Sequence, residues 1–153
     1  MTRIVYNEEL EKLNEDLLSL FDGVRSALVD SVDSLVEADT SLARKVIERD
    51  KELNRLKLNI EDRCIKLLAL QQPMGPDLRF ITTALKIITD LDRMADRSCH
   101  IAEIYEIIQH RPADKISENI LEMKERCIVM FDRVLKCFRD RNRDELEELS
   151  DMD

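Results

Sequence analysis

The sequence predicts an all-α fold: an antiparallel three-helix bundle with an additional fourth helix. Three observations carry this. Only two of the 153 residues are glycine and three are proline, while 44% are hydrophobic and 37% charged, the balance of long amphipathic helices. Apolar residues recur at intervals of three and four through most of the chain, and no stretch alternates as a strand would. The breaks are few and sharp, at Ala38-Asp39-Thr40-Ser41, at Pro73-Met74-Gly75-Pro76 and at Arg111-Pro112.

Helix one starts near Glu8 with Asn7 as its cap. Its stripe runs through Leu10, Leu13, Leu17, Phe21, Val24, Leu28, Val32 and Leu35. About thirty helical residues span roughly 45 Å. Gly23 does not interrupt the stripe and reads as a close helix contact or a tolerated defect. Asp39 to Ser41 offer the next cap, and helix two carries Leu42, Val46, Leu53, Leu56, Ile60, Cys64, Leu67 and Leu70. Between Val46 and Leu53 the period asks for an apolar residue and finds Arg49 and Asp50.

Pro76 suits the first turn of helix three, with Asp77 just behind it. Leu78, Ile81, Leu85 and Ile88 set the face of this helix, which runs to about His110. Continuing the count places Asp92, Ala95 or Asp96, Cys99 and Ala102 on or near that face. Carboxylates at inward positions persist only when paired, hydrogen-bonded or metal-bound. A fourth stripe follows: Ile116, Ile120, Met123, Cys127, Met130, Val134 and Cys137. After Arg139-Asp140-Arg141-Asn142 another polar helix begins, Asp144 to Leu149.

Composition excludes several classes of function. A net charge of −9 argues against nucleic acid as a direct partner. The absence of a leader pattern and of an apolar run of spanning length predicts a soluble, cytoplasmic chain with no transmembrane segment. Cys64, Cys99, Cys127 and Cys137 include no C-x-x-C pair and fall on or beside apolar stripes, so they read as buried free thiols. With Gly23 and Gly75 the only glycines, there is no phosphate loop. Neither histidine has a glutamate three residues before it, as a ferritin-type di-iron site would require. No nucleophile–base pair can be named, and the chain is read as a non-enzyme.

The candidate chemistry lies in acids. Asp92 and Asp96 stack four apart on helix three, and Asp50 and Asn54 share that spacing on helix two. Counted outward from the Pro73 turn, Asp50 lies roughly 25 residues back and Asp96 roughly 20 forward, so the helices bring them to similar heights. An oxygen-rich set of this kind suits hard cations. The competing reading pairs these acids with Arg49, Arg93 or Arg97 on a solvated flank. His100, one turn beyond Asp96, offers a nitrogen ligand or is a hydrogen-bonded flank residue. Phosphotransfer on His100 has no flanking relay motif behind it.

The blocks Ile47-Glu48-Arg49-Asp50-Lys51-Glu52-Leu53-Asn54, Leu68-Ala69-Leu70-Gln71-Gln72-Pro73, Asp77-Leu78-Arg79-Phe80 and Leu91-Asp92-Arg93-Met94-Ala95-Asp96, with Ile101-Ala102-Glu103, resemble the PhoU family. The resemblance covers roughly residues 8–150. It implies a fold of two repeated three-helix bundles, and a regulator of phosphate uptake and phosphate-starvation signalling. Such a regulator acts as an adaptor between a phosphate ABC transporter ATPase and its sensor histidine kinase. It also implies E/D-x-x-x-D metal sites, with Asp92 and Asp96 matching the strongest motif and Asp50 the acid of helix two. The full candidate set is Asp50, Asn54, Asp92, Asp96 and His100, for iron, manganese, magnesium, calcium or zinc. Three positions depart from the pattern: Asn54 replaces a usual acid, Arg97 a common histidine and His100 a usual asparagine. The alternative function is a metal-binding helical domain of an ion transport or storage system.

By the same resemblance, residues 1–111 form one complete repeat, and 112–153 form the first helix of a second repeat and the start of the next helix. The apolar stripe of helix four then needs a cover, which predicts a homodimer with that helix at or near the interface.

Overall fold

The computed structural model describes residues 3–140, apart from the side chain of Gln71, and the polar helix expected at Asp144 to Leu149 lies outside them. Four helices follow one another: α1 (Arg3–Glu37), α2 (Thr40–Gln71), α3 (Pro76–Ile108) and α4 (Asp114–Asp140). The first helix starts at Arg3, so Asn7 lies inside it and caps nothing. The third ends at Ile108, two residues short of His110.

The local signals explain the ends. Asp39 caps α2, its carboxylate accepting from the Leu42 N–H at 3.0 Å. Gly75 takes a positive φ of 59°, which sets Pro76 at the start of α3 where its missing N–H costs nothing. The corners at Ala38 (φ 57°), Gln72 (φ 44°) and Gln109 (φ 51°) are left-handed without glycine. Among the described residues, no helix is long and apolar enough to cross a membrane.

Helices α1, α2 and α3 pack against each other as an antiparallel bundle. The larger core cluster includes Leu13, Leu17, Leu20, Ile60, Leu67, Ile81 and Ile88, and lies toward the Pro73–Pro76 turn. A smaller one of Ala43, Val46, Ala102 and Tyr105 closes the opposite end. Gly23 is the close contact of the two readings offered, because a Cβ built there would overlap the Leu53 side chain of α2.

The backbone of α4 approaches only that of α1, running antiparallel to it. Lys124 pairs with Asp33 (2.6 Å) and Arg25 grips Asp132 through two hydrogen bonds (2.6 and 2.9 Å). Phe131 and Phe138 pack on Phe21, and Phe138 also stacks on Phe80 of α3 at 6.1 Å, so all four phenylalanines of the chain meet. The apolar contact to the bundle therefore comes from Phe131, Leu135 and Phe138. The periodic stripe of α4 lies largely off the bundle: Ile116, Met123, Cys127 and Val134 are exposed, while Cys137 is buried. Two apolar faces share this helix, and the bulkier aromatic one won the bundle.

Candidate functional site

The inward face of α3 runs through Ile81, Ala84, Ile88, Leu91, Ala95, Ser98, Ala102 and Tyr105. Asp92 and Asp96 therefore stand one residue round from the core, Asp92 half-buried and Asp96 exposed. The expectation that the stripe carries aspartate inward is corrected by the small residues Ala95, Ser98 and Ala102. They hold the core position while contributing little bulk, and Ser98 satisfies its hydroxyl on the Met94 carbonyl at 3.0 Å.

On α2 the core positions are Ala43, Val46 and Leu53, with Asp50 half-buried between the last two. Asp50 thus faces the groove between α2 and α3. Partial burial pushes its carboxyl up from the ordinary aspartate range, and the charges of Asp96, Asp92 and Glu103 push it further in the same direction. His100 acts on it in the opposite sense. The Cys99 thiol is pushed up to about 11 by burial, then by Asp50, Glu103 and Asp96, and it donates a long hydrogen bond to Glu103 at 3.9 Å. A thiol so placed is protonated and unreactive at neutral pH.

The fold thus brings Asp50, Asp92, Asp96 and His100 to one groove, with Glu103 and Cys99 alongside. Asn54 is exposed one turn along α2. The expected arginine partners lie elsewhere: Arg49 pairs with Asp30 of α1 at 2.9 Å, and Arg93 lies 3.9 Å from Asp90. Asp92 instead meets the Lys57 ammonium at 3.4 Å. Sequence reasoning missed Lys57, although its place seven residues after Asp50 puts it on the same face of α2. It also missed Glu103, two turns beyond Asp96 on α3.

The donor set has the chemistry of a hard-cation site, three carboxylates and an amide with one imidazole. Among the described residues, no three His, Cys, Asp or Glu side chains converge closely enough to hold an ion as they stand. The Lys57 ammonium already neutralises Asp92. At the far end of the bundle, an open cleft of about 270 Å³ between α1 and the start of α3 is lined by Leu10, Glu11, Asn14, Glu15, Pro76, Asp77 and Phe80, and shares no residue with the groove.

The fold defines the class: a bundle of long antiparallel helices, with Asp50 of α2 near Asp92 and Asp96 of α3 across one helix pair. The chain belongs to the PhoU family, since the PhoU domain model matches residues 17–105. It is 30% identical over its whole length to the "Phosphate-specific transport system accessory protein PhoU homolog" of Clostridium acetobutylicum, spanning 70% of that protein. It is 38% identical over 97 residues to a Pseudomonas putida protein of the same name, spanning only 38% of it. Against the Thermotoga maritima relative (33% identical) it spans 61%. The crystal structure of PhoU from Pseudomonas aeruginosa superposes with a TM-score of 0.84 at 28% identity, over 92% of this chain and 68% of that one. The phosphate transport system regulatory protein PhoU from Streptococcus pneumoniae gives 0.83 at 26% identity, over 95% and 69%.

Proposed function

We propose that the chain is a cytoplasmic regulator of phosphate uptake and of the phosphate-starvation response, working without catalysis. In this reading it is an adaptor between a phosphate ABC transporter ATPase and its sensor histidine kinase. The observation that carries the reading is the whole-length similarity to a phosphate-specific transport system accessory protein. The long charged helix faces, with a net charge of −9 over the chain, suit docking on other proteins. Affinity capture of the tagged chain from phosphate-starved and phosphate-replete cells tests it. Recovery of the transporter ATPase or the kinase is the expected result. Recovery of neither, with wild-type phosphate uptake in a deletion strain, would sink the reading.

A second reading is favoured by one observation, a half-buried Asp50 set close to Asp96 and Asp92, its carboxyl raised first by burial and then by their charges. We propose that a divalent cation neutralises these acids, held by Asp50, Asn54, Asp92, Asp96 and His100, with Lys57 swung off Asp92 to admit it. The ion would be iron, manganese, magnesium, calcium or zinc, and would supply charge neutralisation between α2 and α3. Elemental analysis of protein purified without chelator, with melting curves before and after EDTA, decides this. Stoichiometric metal lost in Asp92→Ala is expected; background metal and an unchanged melting temperature would rule it out. Asn54→Asp should tighten binding by restoring an acid.

A further inference from the structure

The groove between α2 and α3 is lined by two facing rows of unequal charge. On α2, Asp50, Asn54 and Lys57 follow one another at steps of four and three along one side of the helix. On α3, Asp96 and Asp92 stand four apart. The helices run in opposite directions, so the Asp50 end of one row meets Asp96 and the Lys57 end meets Asp92. There the Lys57 ammonium lies 3.4 Å from the Asp92 carboxylate.

This pair differs from an ordinary surface contact. Lys57 and Asp92 keep 23% and 30% of their side-chain exposure, against 77% for both members of the neighbouring Arg93–Asp90 contact. Pairs of the exposed kind are screened and contribute little, whereas a half-buried pair is screened less. Asp92 is subject to two claims. Its charge acts on Asp50, after burial and Asp96, so it stands within reach of the acids. One of its oxygens is nonetheless engaged by Lys57. With Asp92 held in this way, the described side chains of the groove do not converge on one point.

We infer that Lys57 is a tethered counter-cation, which competes with a divalent cation for Asp92 and so sets how readily the groove loads. The inference rests on the cation reading given above and adds the residue that regulates it. The ammonium is a compact single charge carried on a flexible stem, so it can neutralise Asp92 and also withdraw. A divalent ion brings twice the charge but must displace the ammonium, and an ammonium left close by repels it. Occupancy by one therefore opposes occupancy by the other. Loading also returns the Lys57 charge to solvent, which changes the surface that α2 presents.

Manganese(II) is the probe, titrated into the full chain after stripping with EDTA and removal of the chelator. Electron paramagnetic resonance counts the free ion. Lys57→Met keeps the stem and removes the charge, and should bind manganese at least about tenfold more tightly than the parent. Lys57→Arg keeps the charge and should bind like the parent. Lys57→Met combined with Asp92→Asn should lose the gain. In EDTA, Lys57→Met should melt below the parent, and manganese should raise its melting temperature by more. Lys57→Gln, also neutral, replaces Lys57→Met if circular dichroism shows the latter unfolded. Equal or weaker binding by the neutral variant overturns the inference and leaves the cation reading standing. Binding by the neutral variant alone upholds the inference and ends the cation reading for the parent chain, whose groove Lys57 then holds shut. Manganese bound by neither at millimolar concentration overturns both.

Discussion

Near the Pro73–Pro76 turn the helices meet through Leu13, Leu17, Leu20, Ile60, Leu67, Ile81 and Ile88, whereas toward Thr40 Val46 and Tyr105 pack among the small buried residues Ser31, Ser34, Ala43, Ser98 and Ala102. The first end buries bulk, and its flanking charges are paired across helices, with Arg63 of α2 bonded to Glu9 and 3.3 Å from Asp16, both on α1. The second end buries more small side chains, and carboxylates of one sign gather in the α2–α3 groove. Burial of apolar area stabilises in proportion to the area removed from water. The leucine-rich end therefore holds the bundle together. The small-residue end supplies the polar setting in which an acidic groove can exist.

The largest expected effect tests that division directly. Leu17→Ala, at a fully buried position in the leucine-rich end, should cost about 2–5 kcal/mol of unfolding free energy in urea. Ser98→Ala, equally buried at the other end, should change stability by less than about 1 kcal/mol, because its hydroxyl only bonds its own helix. Equal losses for the two variants would break the comparison.

Gly23 sits between the two ends, where Leu53 occupies the space a side chain would need. Gly23→Ala should destabilise by about 1–3 kcal/mol through overpacking, less a gain in helix propensity of up to about 1 kcal/mol. Gly23→Ala combined with Leu53→Ala should recover part of the overpacking cost, and strictly additive losses in the cycle would place the strain elsewhere.

The smallest effect concerns the groove. The Asp50 carboxyl is raised in the folded chain, first by burial and then by Asp96 and Asp92, so the fold binds its proton more tightly than the unfolded chain does. Its contribution is full below the unfolded value of about 3.9 and is lost as pH rises through the raised one. At neutral pH the ionised group is a net cost. Asp50→Asn should raise the melting temperature at pH 7 and flatten its dependence on pH above roughly 4. Asp132 runs the other way: the Arg25 hydrogen bonds hold its carboxyl below the usual range, so its support for α4 fades as pH falls. A variant Asp50→Asn that melts lower than its parent at pH 7 would mean the groove acids stabilise one another through a bound cation.

The same contrast explains what the sequence made legible. Leucines at regular spacing and the proline–glycine break marked the helices and the hairpin that brings Asp50 level with Asp96. Counting failed where the core is made of small residues. The count reached Ala95 and Ala102 but passed over Leu91 and Ser98 and took in Asp92 and Asp96, one step round the helix, because small residues have too little apolar bulk to fix a face. On α4 the difficulty was a surplus of signal. The count marked the stripe from Ile116 to Cys137 and passed over Phe131, Leu135 and Phe138, since periodicity alone cannot say which of two apolar faces a bundle will take. Lys57 escaped because a long cationic side chain at a groove edge resembles any other solvated lysine until its partner on α3 is known.

The corners of the chain carry a different lesson. Ala38, Gln72 and Gln109 all take left-handed conformations that favour glycine, while Gly75 serves the one corner where glycine is present. Each such non-glycine residue forgoes roughly 1 kcal/mol relative to glycine in the same conformation. Among the described residues, each of the three connections between helices is therefore held below its attainable stability. That reserve gives the protein's lineage room: a destabilising change in the acidic groove can be absorbed by a single corner substitution far from it, leaving the surface of the groove open to variation.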